Sequence, residues 1–381
     1  MLLYVDDMNL LCTNPPETSK THTRAVGFSK KKRLDFKQKK CLIMVANKKK
    51  HDIVPELDID GVPLAQAYVI KVLGDMFNDK CNNKDLINDR IKRANACIVN
   101  SMSLCNELCL GRFSLLTLIV LYGAVFLSSV LFNAQAWSNI KKTEFERLQR
   151  VQLKFLKRSV KAPRSCPNAA TFLEFGVLPI ANEIHVRQLT FLHHILTLDS
   201  TDPVLLMFIQ LKCFPGERNW ANDVLELMEL YGIQYDEEQI SEMSKYSWKR
   251  LVKEKVQAVA FSNLIEECSS MKKTKHLKYE SFGCQTYLTS MSPVDACVLF
   301  KARLNSVNCK GNMPSAFQDM TCRLCGDAVE NQQHIVNCVH VRGEKTCLDV
   351  SEVYDPDADA GVLEELCLRL RHFEELRIKL T

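Results

Sequence analysis

A stretch of twenty residues without a charged side chain constrains the fold of this chain more than any other feature. It spans residues 113–132 and reads FSLLTLIVLYGAVFLSSVLF. Its length matches the roughly 20 apolar residues that a helix needs to cross a bilayer. Gly123 and several hydroxyl-bearing side chains interrupt the apolar character, which also suits a helix buried within a large helical domain. The stretch alone therefore leaves two alternatives, a membrane anchor and a buried helix.

Hydrophobic periodicity elsewhere predicts a mainly α chain with a small β component. Several apolar runs before residue 80 have the length of strands. We expect the run at 41–46 to be buried and the last run to be broken by Gly74. These runs are Leu2–Val5, Met8–Cys12, 41–46 and 68–77. From about residue 84 to about residue 270 the spacing becomes helical. The first of these helices carries one apolar face, formed by Ile87, Ile91, Ala94 and Ile98.

Positive charge is concentrated in two segments, although the formal net charge is only +5. Residues 30–50 contain ten Lys or Arg and one acid, and residues 141–164 contain nine cations and two acids. Such clusters attract phosphate because neutralising it releases condensed counterions; a solvated charged face is the alternative. The candidate contacts are Lys40 and, along one side of a helix predicted over 144–161, Arg147, Arg150, Lys154, Arg158 and Lys161.

Cysteine usage indicates a reducing compartment. The chain has 17 cysteines, an odd and scattered set that makes a poor disulfide framework. The first residues turn acidic at once and show neither a basic flank nor a long apolar run, so no signal peptide is expected. We therefore expect the nucleus or the cytoplasm, not secretion, and look for metal binding where the spacing allows it.

One group of cysteines and a histidine has the spacing of a zinc site. The pattern Cys-x2-Cys-x8-His-x3-Cys is formed by Cys322, Cys325, His334 and Cys338. Thiolates and imidazoles are ligands that Zn²⁺ prefers, and its binding contributes directly to folding free energy. A chance cysteine pair is the alternative, and His340 and Cys347 could replace the fourth ligand. Arg323 could contact phosphate, although an arginine at such a position is more often simply solvated.

A pair of adjacent carboxylates lies between two apolar runs near the N-terminus. Tyr4-Val5-Asp6-Asp7 predicts a hairpin with Asp6 and Asp7 at its tip. Mg²⁺ prefers oxygen ligands, and nucleotidyl transfer is assisted by two ions that bridge carboxylates and substrate phosphates. Because Asp is also common in turns for backbone reasons, an ordinary turn is the alternative.

Several segments, in their order along the chain, resemble LINE-type (non-LTR) retrotransposon reverse transcriptases. Tyr4 to Asp7 resembles the Tyr-x-Asp-Asp motif of the palm, and Cys322 to Cys338 resembles the Cys-Cys-His-Cys element beyond the thumb. Between them lie similarities to the next palm element, the primer-gripping hairpin, the thumb helices and a Glu-x-Gly-x-x-Pro segment, at 34–44, 72–74, 89–94, 121–137 and 172–180. The second palm element lacks the expected Gly and Asn, and Val72 stands where the family has tyrosine.

The resemblance implies a palm, a thumb and RNA-templated DNA synthesis. Asp6 and Asp7 would bind Mg²⁺, Tyr4 would lie beside the primer terminus, and RNA and DNA would be the partners, with no small-molecule substrate. It also favours a buried helix, not a membrane anchor, for 113–132. The implied domains are a partial palm (1–80), a thumb-like region (81–200), a helical linker (201–315), a zinc knuckle (316–345) and a charged C-terminal helix (346–381).

The position of the palm motif predicts that the chain as it stands does not polymerise DNA. Polymerases of this family also use a third carboxylate and fingers from upstream, whereas only three residues precede Tyr4. Two carboxylates without that partner are expected to bind metal poorly and to orient no substrate. We therefore expect a fragment or remnant of a reverse transcriptase. A non-catalytic nucleic-acid-binding protein is the first alternative, and a membrane protein anchored by 113–132 is the second.

Overall fold

Two units make up the chain in the computed structural model, residues 1–89 and residues 90–381. The structure describes residues 2–4, 7–49, 52, 54–109, 115–342, 347–355 and 358–379, with side chains from residue 8 onward except at 105–109, 314 and 342. The prediction of a mainly helical chain with small sheets is confirmed. A palm and a thumb within this architecture, and the finer domain boundaries, stay predictions.

The described strands all lie in the first unit and form four two-stranded sheets. They are β1 (Leu2–Tyr4), β2 (Asp7–Asn9), β3 (Leu42–Ile43), β4 (Asp58–Ile59), β5 (Val62–Pro63), β6 (Ala65–Gln66), β7 (Val69–Val72) and β8 (Asp75–Asn78). Strands β1 and β2 pair antiparallel, with Tyr4 opposite Asp7, so the chain reverses where the palm motif predicts a hairpin. Asp6 itself lies outside the described residues.

The helix after this hairpin has its start stabilised by neighbouring residues. Helix α1 spans Pro15–Lys32 and has prolines in its first turn, where a missing N–H costs no hydrogen bond. The Asn14 side chain accepts a hydrogen bond from the Glu17 N–H at 2.9 Å, and the Glu17 carboxylate accepts one from the Thr13 N–H at 2.9 Å. Reciprocal bonds of this kind stabilise a helix start because they satisfy otherwise unpaired backbone donors.

The remaining strand predictions had mixed outcomes. The run at 41–46 yields only the two-residue strand β3, which pairs parallel with β6, and Leu42 is 50% exposed. The prediction of a buried strand there is therefore wrong. A strand is buried on both faces only when other elements pack on each side of its sheet, and this two-stranded sheet leaves Leu42 exposed. The break at Gly74 is a hairpin turn, because Leu73 (φ 46°) and Gly74 (φ 95°) join β7 to β8 in left-handed conformations.

Helices account for nearly all regular structure from residue 84 onward. They are α2 (Lys84–Cys109), α3 (Leu115–Leu121), α4 (Ser128–Val130), α5 (Lys142–Ser159), α6 (Asn168–Phe175), α7 (Ile180–Leu196), α8 (Pro203–Lys212), α9 (Trp220–Leu230), α10 (Glu237–Glu242), α11 (Lys245–Ser270), α12 (Tyr287–Ser290), α13 (Pro293–Arg303), α14 (Gln332–Asn337), α15 (Val339–Arg342) and α16 (Ala360–Lys379). Short 3-10 helices occupy Gln38–Lys40, Ala134–Ala136, Lys310–Asn312, Pro314–Ala316 and Val350–Tyr354.

The uncharged stretch at 113–132 packs against α5 through its aromatic residues. From Leu115 onward it consists of α3, a π-helical segment at Tyr122–Leu127 and α4. The rings of Tyr122 and Phe126 stack at 5.5 Å, and Phe155 of α5 contacts both of them. The Gln152 side chain donates a 2.6 Å hydrogen bond to the Tyr122 hydroxyl. Within the described residues, no helix has the length and apolar character that a membrane crossing requires.

Among the described residues of the second unit, two apolar clusters each join several helices. The first joins α7, α9 and α11 around Trp248, whose indole N–H donates to the Leu189 carbonyl at 2.8 Å. The second cluster joins α13, α14 and α16 around Phe373, and it includes Cys322 and Cys338. The zinc-spaced cysteines therefore belong to the packed core of a larger helical region.

Candidate metal centre

Four side chains with metal-binding atoms lie together in the second unit. Their ligand atoms all lie within 4.8 Å of one another, and they belong to Cys322, Cys325, His334 and Cys338. The Cys325 Sγ lies 3.4 Å from the His334 Nε2. A tetrahedral zinc ion with Zn–S near 2.3 Å and Zn–N near 2.0 Å places sulfur and nitrogen about 3.5 Å apart. The cluster can therefore hold a metal such as Zn²⁺. Its four ligands are the ones that the spacing predicts.

The first two ligands lie on the turn of a tight hairpin. Thr321 and Val329 form an antiparallel bridge, and the Cys322 N–H donates to the Ala328 carbonyl at 2.7 Å. The Gly326 N–H closes the turn on the Cys322 carbonyl at 2.9 Å. Gly326 has φ 75°, a left-handed conformation that glycine adopts without steric cost. This turn directs the two cysteines toward the same point.

The third ligand, His334, lies in α14, and the fourth, Cys338, follows its last residue directly. The Asn331 side chain caps α14 by accepting a hydrogen bond from the His334 N–H at 2.8 Å. His334 and Cys338 are four residues apart, which places them on one side of a helical turn. Ile335, the next residue of α14, is fully buried and packs in the cluster around Phe373. Packing of α14 thus sets where these two ligands point.

Burial differs among the four ligands. Cys322 and Cys338 are 3% and 1% exposed, whereas Cys325 and His334 are partly exposed. Burial raises the pKa of the Cys338 thiol to about 12, and the N–H of Asp327 lowers the pKa of the Cys325 thiol. Zinc binds thiolates, so metal binding must release a proton from Cys338. The partly exposed side provides the route by which a metal ion reaches the site.

A buried carboxylate braces the hairpin from behind, and nothing in the sequence pointed to it. Glu330 is fully buried and accepts hydrogen bonds from the backbone N–H groups of Lys310 at 2.9 Å and Arg323 at 3.0 Å. It also pairs with the Arg323 guanidinium, whose Nε lies 2.9 Å from Oε2. Burial raises the pKa of Glu330, but the hydrogen bonds from Arg323 outweigh it and the pKa is lowered.

Arg323 therefore has a structural role in the hairpin and is not simply solvated, whereas phosphate contact by its side chain stays a prediction. Its guanidinium pairs with Glu330 and lies 5.7 Å from the centre of the Phe317 ring. A cation over an aromatic face is stabilised by the negative potential of the ring. These contacts hold the backbone between the first two metal ligands.

The predicted magnesium site has no support among the described side chains. Tyr4 and Asp7 lie in paired strands, but their side chains and the whole of Asp6 lie outside what the structure describes. The cysteine–histidine cluster is the one group of potential metal ligands found in the described part of the chain. Magnesium binding by Asp6 and Asp7 stays a prediction.

The predicted phosphate contacts are mostly accessible. Lys40 is exposed in the first unit, and Arg150, Arg158 and Lys161 are exposed on or just beyond α5, which ends two residues earlier than predicted. Arg147 and Lys154 are partly buried. The Lys154 ammonium donates to the Asn95 side chain of α2 at 2.6 Å, so it holds two helices together.

The Glu-x-Gly-x-x-Pro segment has a structural explanation that the sequence could not supply. Glu174, at the end of α6, is fully buried and its two carboxylate oxygens lie 3.1 and 3.2 Å from the Arg303 Nε of α13. The hydroxyls of Tyr279 and Tyr287 donate to the same carboxylate at 2.8 and 2.7 Å. This network, here called the Glu174 clasp, joins α6 to the region that carries the metal ligands.

Gly176 allows that region to approach closely. It ends α6 with φ 59°, and a Cβ atom there would lie 2.2 Å from backbone atoms of Gly283 and Cys284. Pro179 then precedes α7. Glutamate and glycine in this segment are thus required by packing within the second unit.

Comparison with known proteins adds no assignment. No protein-family model matches the sequence, and no curated protein matches it either. The resemblance to reverse transcriptases therefore rests on the quoted motifs. The clustering of the metal ligands rests on geometry.

Proposed function

We propose that this chain is a zinc-stabilised, nucleic-acid-binding part of a non-LTR retrotransposon reverse transcriptase. The convergence of Cys322, Cys325, His334 and Cys338 on one point carries the proposal. A random cysteine pair in a chain with 17 cysteines has no reason to meet a histidine and a third cysteine at coordinating distance. Zinc knuckles are among the common modules that recognise single-stranded RNA.

Charge distribution favours nucleic acid as the partner. Arg150 and Arg158 are exposed on α5, and the lysine-rich segment at 30–50 adds a second cationic region. Contacts of this kind position a strand through its phosphates and carry little sequence information. We therefore propose binding to RNA and DNA single strands that is steeply dependent on salt.

Polymerase chemistry belongs to the proposal only as the activity of the family. Such a site needs three carboxylates around two metal ions, and the side chains of Asp6 and Asp7 lie outside the described residues. We expect the 381-residue polypeptide to bind nucleic acid without extending a primer. Primer extension with Mg²⁺ tests this expectation, and incorporation that disappears in Asp6→Ala would overturn it.

Metal analysis of the purified protein tests the zinc centre. We expect about one zinc per chain and a sharp fall in Cys322→Ser. Cys213→Ser is the matched control, because Cys213 is an exposed thiol directly after the last residue of α8 and is not part of the cluster. Absence of zinc from the parent protein, or equal loss in both variants, would contradict the proposal.

Binding is tested with labelled single-stranded oligonucleotides by fluorescence anisotropy. We expect binding that weakens as salt rises, since each neutralised phosphate of a single strand contributes about 0.7 to the slope of log K against log salt. A parent protein that holds zinc but binds neither RNA nor DNA would refute the nucleic-acid assignment while leaving the metal site intact.

A further inference from the structure

We propose that a lysine-lined cleft binds the phosphodiester backbone of a single nucleic-acid strand. The cleft lies beside the zinc hairpin, which is the hairpin from Thr321 to Val329 that carries Cys322 and Cys325. The cleft has a volume of about 360 Å³ and lies within the second unit. Three lysines line it: Lys161, Lys273 and Lys301. This inference rests on the proposed nucleic-acid binding and names the place where the phosphates lie. Two of the three lysines come from regions that the sequence did not single out.

Four separate parts of the chain line the cleft. One wall is the loop after α5, from Lys161 to Ser165; another is α13 with the segment that follows it, from Lys301 to Met313. Lys273, just beyond α11, and Glu374 of α16 complete the lining. The lysines are far apart in sequence, so the fold is what brings them to one cleft.

The positive charge of these lysines is not neutralised by neighbouring acids. Within the described ranges, no carboxylate lies within 4.0 Å of the Lys161, Lys273 or Lys301 ammonium groups. Lys273 donates to the Asn312 carbonyl at 3.2 Å, which orients it without cancelling its charge. Glu374 is the carboxylate that lines the cleft, and it pairs with Arg377 at 2.7 Å. With three lysines and one carboxylate among the lining residues, the cleft carries an excess of positive charge. A concave site with such an excess concentrates ions of the opposite sign.

A fourth lysine holds the loop that forms one wall. Lys157 is only 6% exposed, and its ammonium donates to the Arg164 carbonyl at 3.0 Å and to the Asn168 side chain at 2.8 Å. These bonds tie the loop before and after Ser165 to α5. The wall is thus rigid before a ligand arrives, which lowers the entropic cost of binding.

The opposite wall is bonded directly to the zinc hairpin. Arg323 donates to the Asn308 carbonyl at 3.4 Å, and Asn312 donates to the Gln332 side chain of α14 at 3.2 Å. Lys310, in the same segment, donates its backbone N–H to Glu330. Zinc binding therefore stabilises the segment that presents Asn308 and Asn312 to the cleft.

The size and chemistry of the cleft identify the class of ligand. Its volume lies at the lower end of the roughly 300–1,000 Å³ typical of small-ligand sites, so it admits a short piece of one strand and not a duplex. Ser165 and Asn308 add neutral hydrogen-bonding groups, and none of the described residues that line the cleft has an aromatic ring to stack on a base. Ammonium groups recognise phosphate as point charges, without sequence preference.

Salt-dependent binding by the full chain tests the cleft. The variant Lys161→Gln/Lys273→Gln/Lys301→Gln is compared with Lys245→Gln/Lys249→Gln/Lys255→Gln, which removes the same charge from exposed positions on α11. Anisotropy titrations use a single-stranded RNA and a DNA of the same sequence. We expect the cleft variant to reduce the slope of log K against log salt by roughly 2, and the control variant to change it little.

The possible outcomes distinguish failure of the cleft proposal from failure of the proposed nucleic-acid binding. Equal slopes for the two variants, with the parent protein still binding, would overturn the cleft and leave the proposed function standing. Absence of binding by the parent protein would overturn both. A loss with RNA alone, or with DNA alone, would support the cleft and identify which backbone it accepts.

Lysine footprinting on the unaltered protein gives a second test that does not depend on how the variants fold. Acetylation measured by mass spectrometry should fall at Lys161, Lys273 and Lys301 when oligonucleotide is bound. Lys245 and Lys249 should react equally with and without it. Unchanged reactivity at all three cleft lysines under saturating oligonucleotide would refute the proposal.

Discussion

Residues 1–89 and residues 90–381 differ in how much apolar surface they bury. Among the described residues of the first unit, the buried apolar side chains are Ile59, Leu86 and Ile87. The described residues of the second unit include two clusters of buried apolar side chains, each of which joins several helices. Burial of apolar area contributes about 25 cal/mol per Å², so most of the folding free energy resides in the second unit.

The candidate metal sites of the two units also differ in how far apart their ligands lie in the sequence. Asp6 and Asp7 are adjacent in sequence, so a motif can be recognised there without any packing around it. The cysteine–histidine ligands span Cys322 to Cys338, and a hairpin and a packed helix must bring them together. Both sites are visible as sequence patterns, but the four cysteine–histidine ligands meet only because the surrounding core folds.

Removal of zinc should have the largest effect and should be confined to the second unit. Structural zinc contributes on the order of 10 kcal/mol in small zinc-binding peptides. We expect chelation to abolish hydrogen-exchange protection in α14 and weaken it in α13 and α16, while backbone amides of α1 exchange as before. Added zinc should restore protection. Equal loss in both units would break the contrast between them.

Glu174→Gln tests the clasp, which is the most buried ion pair described in the second unit. The side chains of Glu174 and Arg303 are 0% and 5% exposed, so loss of the negative charge leaves a buried guanidinium uncompensated. Removing one partner of such a pair costs about 3–5 kcal/mol. Denaturant unfolding measures the loss, and zinc analysis should show the metal still bound.

Glu254→Gln is the control for that variant. Glu254 pairs with Arg250 on the surface of α11, and the two side chains are 67% and 66% exposed. Exposed pairs contribute little because water and salt screen them. If Glu174→Gln unfolded at the same denaturant concentration as Glu254→Gln, the clasp would have no role in stability.

The sequence predicted the elements whose signals are local. The turn at Gly74 and the apolar face of α2 follow from neighbouring residues, and the spacing of the four metal ligands is likewise visible in one short segment. The prediction of a buried strand at 41–46 was wrong because an apolar run does not reveal whether a second layer of structure covers it. Coverage is decided by residues distant in sequence.

Long-range contacts account for what sequence reasoning missed. Glu330 lies between two ligand pairs, but nothing nearby shows that it is buried against Arg323 and Lys310. Glu174 meets Arg303 across 129 positions, and Lys273 reaches the cleft from beyond α11. A cation run signals positive charge, yet it cannot distinguish the exposed Arg158 from the buried Lys157 one position earlier.

Gly176→Ala should destabilise the second unit by about 3 kcal/mol or more. The new Cβ would lie 2.2 Å from the backbone of Gly283 and Cys284, in addition to the strain of a left-handed residue. Gly232→Ala separates the two causes. Gly232 has the same φ of 59° but nothing within 4 Å, so only the conformational cost of about 1–2 kcal/mol should remain. Equal losses in the two variants would show that the close approach is unimportant.

The smallest effect is expected from Lys30→Gln in the first unit. The Lys30 Nζ lies 2.6 Å from Asp60 Oδ1, yet the two side chains are 63% and 55% exposed. The hydrogen bond to Asp60 raises the pKa of Lys30, so any stabilisation is present at neutral pH and is lost only as pH rises through that pKa. Solvent screening makes the contribution small at neutral pH, and we expect no measurable change in the thermal midpoint at low or high salt. A fall comparable to that of Glu174→Gln would mean that surface charge pairs, and not apolar burial, hold the first unit together.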